Sequence, residues 1–179
     1  MQRFPTQTSP AQAFPERRVL RRAADPQQMG STPVNDLHRY WLSKHRDDAI
    51  PGRAQIDPTE IPHLLPNILL GSIEYHPFRV FYRLVGTRIT AFRGALTGQY
   101  LDSVSWLEPE TRSATQEIYE AVAQSRLPTF AELEVRSVSG TPYRIHTGLW
   151  PLAGQAYGPT DMFIAIEDYG DLERIELDF

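Results

Sequence analysis

The chain contains no cysteine among its 179 residues. This excludes disulfides, thiolate nucleophiles, cysteine-ligated zinc or iron–sulfur sites, and covalent cysteine adducts with flavin. No apolar run approaches the roughly 18 residues that a membrane-spanning helix requires. We therefore predict a protein without a membrane span. Because the lack of cysteine does not distinguish compartments, the cytoplasm is the default expectation.

Sequence motifs of the common enzyme classes are missing too. There is no G-x-S-x-G, no phosphate-binding P-loop and no G-x-G-x-x-G. No H-x-H or H-E-x-x-H spacing indicates a metal site. Glu132 and Glu134 alternate with apolar residues, which places both carboxylates on the wet side of a predicted strand. The sequence thus predicts no catalytic residue, no enzyme activity and no metal ligands.

Charge is unevenly distributed along the chain. The net charge is −4, and residues 1–33 contribute +3 from five arginines against two acids, which leaves −7 on residues 34–179. A negative body repels phosphate backbones, and the positive segment lacks aromatics interleaved with its arginines for stacking on bases. We predict no nucleic-acid binding.

The first 33 residues are predicted to be a disordered, basic, proline-rich tail. They contain five prolines, many Gln, Ser and Thr residues, and no sustained apolar period. Their arginine pairs are not followed by the apolar segment of roughly 7 to 15 residues that an export signal needs. A basic arm that docks on an acidic partner, an inert tail and a true start at Met29 all stay open. Residues 171–179 are expected to be a C-terminal tail.

Residues 34–66 are predicted to form an N-terminal helical cap. An amphipathic helix is expected over residues 36–46, with Asn35 or Asp36 capping its first turn. A further helical turn is expected over residues 58–65.

The sequence pattern predicts that residues 67–170 form the core of the domain. Its elements are expected in the order strand, strand, helices, strand, strand, strand. The strands are expected over residues 68–75, 78–86, 129–138, 142–152 and 161–168. The helices are expected over residues 87–93 and 109–125. This order predicts an α+β fold, in which a mostly antiparallel five-stranded sheet carries helices on one face beside the N-terminal helical extension.

Two amphipathic patterns predict which side of the second strand and which side of the longer helix face the core. In the second strand, the core-facing side is expected to consist of Phe78, Val80, Tyr82 and Leu84. Its other side consists of Arg79, Phe81, Arg83 and Val85. In the longer helix, the apolar stripe expected to lie on the sheet consists of Ala114, Ile118, Ala121 and Val122.

Five phrases carry a likeness to a known family in its order and spacing. They are LHRYWLSKHR at 37–46, IDPTEIPHLLPNILL at 56–70, FRVFYRLVGTRI at 78–89, LTGQYLD at 96–102 and GLWPL at 148–152. The chain resembles the stand-alone PAS-like proteins of proteobacteria, a bacterial branch of the PAS superfamily, over roughly residues 36 to 170. The resemblance implies a PAS fold with a pocket between sheet and helices, often dimeric, and no universal cofactor.

The function that the resemblance implies is a sensory or regulatory one. A small-molecule ligand or a partner protein would bias the helices against the sheet, and the signal would pass by conformational change. Only eleven residues follow Asp168, too few for a kinase or cyclase output, so a separate signalling partner is expected. Two alternatives stay open: an interaction module that needs no ligand, and a cavity isomerase or lyase of the α+β cone type that uses His146 with a nearby acid.

Five residues are candidates for ligand binding. The guanidinium of Arg83 can bind a carboxylate or phosphate, or it can pair with an acid on the open sheet face. Phe92, Trp106 and Tyr119 are expected to line a pocket between helices and sheet, and ordinary core packing is the alternative for each. His146 can meet a ligand, or it is a structural or surface residue of its strand.

Tyr40 and Trp41, on the N-terminal helix, are expected to pack either on the sheet or against a second subunit of a homodimer. The helix over residues 109–125 contains no histidine, so the proximal haem ligand that some PAS sensors place near this region has no counterpart there. Noncovalent flavin stays open, and no cofactor is assigned.

Overall fold

The computed structural model describes residues 17–46, 49–105, 107, 109–137, 140–155 and 159–170. Its strands are β1 (Arg17–Ala23), β2 (Ile68–Glu74), β3 (Arg79–Val85), β4 (Thr129–Arg136), β5 (Pro142–Ala153) and β6 (Thr160–Asp168). Its α-helices are α1 (Thr32–Ser43), α2 (Thr87–Arg93) and α3 (Pro109–Ser125). The strands form one antiparallel sheet in the order β1-β4-β5-β6-β2-β3. None of these helices is long and apolar enough to cross a membrane.

The α+β class and the antiparallel sheet are confirmed, but the sheet has six strands where five were predicted. The additional strand, β1, comes from the segment predicted to be disordered, and it pairs with β4 along its length. Four of its seven residues are arginines, so its composition carried no strand signal. Residues 17–23 form an ordered strand because they pair with β4, which lies more than one hundred residues later in the chain. Local composition does not show such a pairing. The prediction of disorder is therefore wrong for residues 17–33, while residues 1–16 and 171–179 lie outside the described residues.

Each face of the sheet has its own hydrophobic core. Helices α2 and α3 cover one side, here called the α3 face, whose buried strand residues include Leu69, Tyr82, Leu133, Ile145 and Phe163. Helix α1 and the following loop cover the other side, the α1 face, whose buried strand residues include Leu70, Phe130, Trp150, Leu152 and Ile164. The N-terminal helical extension thus closes the face that the core helices leave open.

Helix α1 begins at Thr32, earlier than predicted. The hydroxyl of Ser31 accepts a hydrogen bond from the Val34 amide at 3.2 Å, so Ser31 is the cap in place of Asn35 or Asp36. A serine cap followed by proline in the first turn is a strong start signal. It was missed because the proline was counted as part of a disordered tail.

The side-chain alternation of β3 reverses at a β-bulge. Tyr82 and Leu84 pair with successive residues of β2, so Arg83 is the extra residue of the bulge. As a result Leu84 is 46% exposed on the α1 face, and Val85 packs against the core of the α3 face. The predicted core side is correct up to Tyr82 and wrong for the two residues after the bulge.

Helix α3 is rotated relative to the predicted stripe. Ala114 and Ala121 are exposed, and Ile118 is only half-buried. The buried side consists of Thr111, Thr115, Tyr119, Val122 and Ala123. The ring of Tyr119 removes more apolar area from water than an alanine does. The Thr115 hydroxyl donates to the Thr111 carbonyl at 2.7 Å, which allows a threonine on the buried side.

Candidate functional site

Two neighbouring cavities lie between α3 and the sheet. The first, called the strand cavity, holds about 510 Å³ of empty space including its open mouth. The second, called the helix cavity, holds about 350 Å³ measured in the same way. The innermost space is narrow and admits only a few water-sized groups. The residues that line both cavities, here called the partition, are Leu69, Thr115, Tyr119 and Glu167.

The walls of the two cavities differ. The strand cavity lies under α3 and is completed by Val19, Arg22, Ile118, Ala131, Leu133 and Leu149, among others. The helix cavity is completed by Tyr82, Arg93, Leu96, Leu101, Val104 and Leu107. The first is therefore bounded by strands on most sides, and the second by helices and the loop between α2 and α3.

A buried ion pair stands at the partition. Arg93 Nη1 lies 2.7 Å from Glu167 Oε1, and the two side chains are 9% and 3% exposed. The Tyr169 hydroxyl donates to the other oxygen, Oε2 of Glu167, at 2.6 Å. Both carboxylate oxygens therefore have a partner. A buried charge is tolerated only when it is paired and hydrogen-bonded in this way.

The surroundings of Arg93 keep it charged. Burial opposes the charged form, but the attraction of Glu167, aided by Tyr169, Tyr82 and Tyr119, outweighs burial and raises the pKa of Arg93. The guanidinium accordingly stays protonated across the working pH range.

Sequence reasoning missed this pair, although periodicity could have found it. Arg93 lies one helical turn after Ile89, which is fully buried, so both belong to the buried side of α2. Glu167 alternates along β6 with Phe163 and Ala165, which lie on the α3 face. Both charged residues were left out because charged side chains are assigned to water by default.

Three aromatic residues were predicted to line a pocket, and of the two that the structure describes, one lies at the cavities. Tyr119 belongs to the partition, and its role toward a ligand stays a prediction. The ring of Phe92 stacks on Tyr169 with centroids 4.4 Å apart and meets Tyr143 edge-on at 5.0 Å. Phe92 thus corresponds to the core-packing alternative. Trp106 lies outside the described residues.

Arg83 and His146 are not brought to the cavities. Arg83 is exposed at the β3 bulge, beside an open cleft that Arg53 and Asp161 also line. His146 is in register with Asp168 of β6 and lies on the α1 face, because strand alternation sends its neighbour Thr147 to the cavity side. A cavity acid–base pair built on His146, which the isomerase or lyase alternative needs, does not form in this arrangement.

Tyr40 and Trp41 pack within their own chain. Trp41 is 3% exposed, and its indole Nε1 donates to the Pro151 carbonyl at 3.0 Å. The Tyr40 hydroxyl donates to Glu60 Oε2 at 2.7 Å and accepts from the Asp57 amide at 2.8 Å. These contacts match the alternative of packing on the sheet and the following loop, and a subunit interface at these two residues stays a prediction.

The two cavities lie between the helices and the antiparallel sheet of a domain of the α+β class. A family model described as PAS domain matches residues 29–165, most of the chain. The chain therefore belongs to the PAS domain family, and this membership indicates a sensory or regulatory module. No curated protein and no solved structure matches the chain. The narrower expectation of a stand-alone bacterial member stays a prediction.

Proposed function

We propose that this protein is a sensory PAS domain that binds a small molecule in the cavities between α3 and the sheet. The observation that carries the proposal is the buried Arg93–Glu167 pair at the partition. A buried ion pair contributes little net stability compared with apolar residues of the same volume. The pair also lies beside the two cavities. This position suits a response to a ligand better than it suits a contribution to the stability of the fold.

The partition connects a bound molecule to the helices. Tyr119 belongs to α3 and Arg93 ends α2, whereas Glu167 belongs to the sheet. A ligand that fills the narrow strand cavity must displace partition side chains, and both helices contact those side chains. Binding would then favour one position of α2 and α3 over another, in proportion to the difference in affinity for the two positions.

The signal would leave the domain through these helices. The dimer and the separate signalling partner that family membership implies stay predictions, and we propose no chemical reaction at the cavities. Ligand binding with a change in helix position is the whole of the proposed activity.

A cavity-filling variant tests the proposal. Ala165 is buried in β6 and lines the strand cavity, so Ala165→Leu places a larger side chain in the empty space. Ala114→Leu makes the same change at an exposed position of α3 and is the matched control. Wild type and both variants are screened by thermal shift and native mass spectrometry against a panel of metabolites.

We expect at least one compound to raise the melting temperature of wild type and of Ala114→Leu, but not that of Ala165→Leu. Far-UV circular dichroism verifies that each variant is folded before the screen. A panel in which no compound binds wild type, or in which Ala165→Leu responds as wild type does, contradicts the proposal.

A further inference from the structure

The arginines of the edge strand β1 lie on both faces of the sheet. Arg21 is in register with Glu132 on the α1 face, where its Nε lies 3.4 Å from Glu132 Oε2. The next residue, Arg22, is in register with Ala131 and therefore lies on the α3 face. There it lines the strand cavity. Arg22, like Val19, thus reaches the strand cavity from β1.

The side chain of Arg22 has no partner among the residues that the structure describes. Among residues 17–46, 49–105 and the later described ranges, no hydrogen bond or ion pair reaches its side chain, which is exposed at the edge of the sheet. The neighbouring Arg21, in contrast, is paired with Glu132. A guanidinium without a partner at the mouth of a cavity is available for an anionic group of a ligand.

The interior of the strand cavity suits a different kind of group. Its walls are mostly apolar, with Leu69, Ile118, Leu133, Leu149 and Ala165 among them. The carboxylate of Glu167 is also part of the wall, and it is already bonded to Arg93 and Tyr169. A second anion placed there would meet that carboxylate at close range in a poorly solvated space. The inner cavity therefore favours an uncharged apolar group.

We infer that the ligand of the strand cavity is a medium-chain monocarboxylate, whose apolar tail enters by displacing partition side chains and whose carboxylate lies at Arg22. The inference rests on the proposed function, because it names the ligand class of the same cavity. A cationic head would face Arg22, and a dicarboxylate would bring its second charge toward Glu167. Only a single anionic head on an apolar tail satisfies both ends of the cavity.

Titration calorimetry with octanoate and with octan-1-ol separates the roles of head and tail. Arg22→Gln removes the cation at the mouth, and Arg22→Lys restores a positive charge. Arg18→Gln is the matched control, since Arg18 is exposed on the same strand and in register with Glu134 on the α1 face.

We expect Arg22→Gln to weaken octanoate binding about fivefold, the upper end of the range for a solvent-exposed charge contact. Arg22→Lys and Arg18→Gln should bind octanoate within about twofold of wild type. Octan-1-ol should bind wild type and Arg22→Gln equally, and more weakly than octanoate binds wild type. Hexanoate should bind more weakly than octanoate, because each buried methylene contributes about fourfold in affinity.

The outcomes distinguish this inference from the proposed function. If octanoate binds Arg22→Gln as tightly as wild type, or does not bind wild type while another compound binds and is excluded by Ala165→Leu, the ligand class is wrong and the sensory function stands. If neither octanoate nor any compound of the panel binds wild type, both proposals are wrong. Loss of octanoate binding in Ala165→Leu together with the weakening in Arg22→Gln supports both.

Discussion

The guanidinium of Arg93, the last residue of α2, lies 2.7 Å from the carboxylate of Glu167 in β6, and both side chains are at least nine-tenths buried. This contact joins the short helix α2 to the centre of the sheet, at the partition between the strand cavity and the helix cavity. Both the charge balance and the packing of the core at this place therefore depend on the same two side chains.

Glu167→Gln is expected to destabilise the protein strongly. The substitution keeps the shape of the side chain but leaves the charge of Arg93 buried without its counterion, which typically costs about 3 to 5 kcal/mol. The free energy of unfolding, measured by urea titration with circular dichroism, checks the value. Glu134→Gln, on the α1 face of β4, is the control and should change stability by less than about 0.5 kcal/mol. Equal losses of stability in Glu167→Gln and Glu134→Gln would show that the buried pair contributes no more to stability than Glu134 does.

Removing both charges is expected to cost less than removing one. In the double variant Arg93→Met with Glu167→Leu no ion is left buried, and apolar replacement of a buried pair is often neutral or stabilising. Urea unfolding should therefore find the double variant more stable than Glu167→Gln. A double variant that is less stable than Glu167→Gln would mean that packing around the pair matters more than its charge.

The fold was largely predictable, since apolar periodicity located β2 to β6, α2 and α3 to within a few residues. Asp57 also caps a helical turn as the pattern indicated, with its carboxylate accepting from the Thr59 amide at 2.9 Å. What periodicity could not show was β1, whose order depends on a partner strand far along the chain. Nor could it show the bulge at Arg83, which arises from the register between two strands and not from either one alone.

The candidate site was predictable only in part. Tyr119 was expected near a pocket because it is aromatic, and it does lie in the wall of both cavities. Arg93 and Glu167 lie on buried sides of their elements but have the residue types that usually face water. Arg22 could not be assigned at all, because its direction depends on a register shift between Val19 and Arg21.

Trp41→Ala tests the packing of α1 on the sheet. The substitution removes a buried indole and its hydrogen bond to the Pro151 carbonyl, and such changes cost about 3 to 5 kcal/mol. Leu42→Ala, at a position of the same helix that is 49% exposed, is the control and should change stability far less. Sedimentation velocity should find the same oligomeric state in wild type and Trp41→Ala. A change of oligomeric state without loss of stability would place Trp41 at a subunit interface after all.

Gly71→Ala tests the close packing of β2 beside the bulge. A Cβ at this position would overlap the ring of Phe163 and the carbonyl oxygen of Phe81. Because one of these atoms belongs to the backbone, relief needs a shift of the sheet, and overpacking of this kind costs about 1 to 3 kcal/mol. Ser72→Ala, one residue further along the strand, should change stability by less than about 1 kcal/mol. If chemical denaturation finds Gly71→Ala as stable as wild type, the strands are free to adjust.

His38 is expected to make stability depend on pH. Trp150 Nε1 donates to His38 Nδ1 at 3.1 Å, an arrangement that requires the neutral imidazole. Burial lowers the pKa of His38; the nearby Asp25 opposes this, and His45 adds to it. Burial likewise lowers the pKa of His45, which follows the end of α1 and contacts the Trp41 ring.

Because the unfolded chain binds protons more readily than the folded one, this contribution is fully present above the unfolded pKa of about 6.5 and declines as pH falls below it. His38→Gln keeps an acceptor for the Trp150 indole but does not titrate. We expect urea unfolding to find His38→Gln close to wild type at a pH of about 7.5, and less sensitive than wild type to a fall toward a pH of about 5.5. An unchanged pH dependence in His38→Gln would mean that protonation of His38 does not oppose the packing of α1 on the sheet.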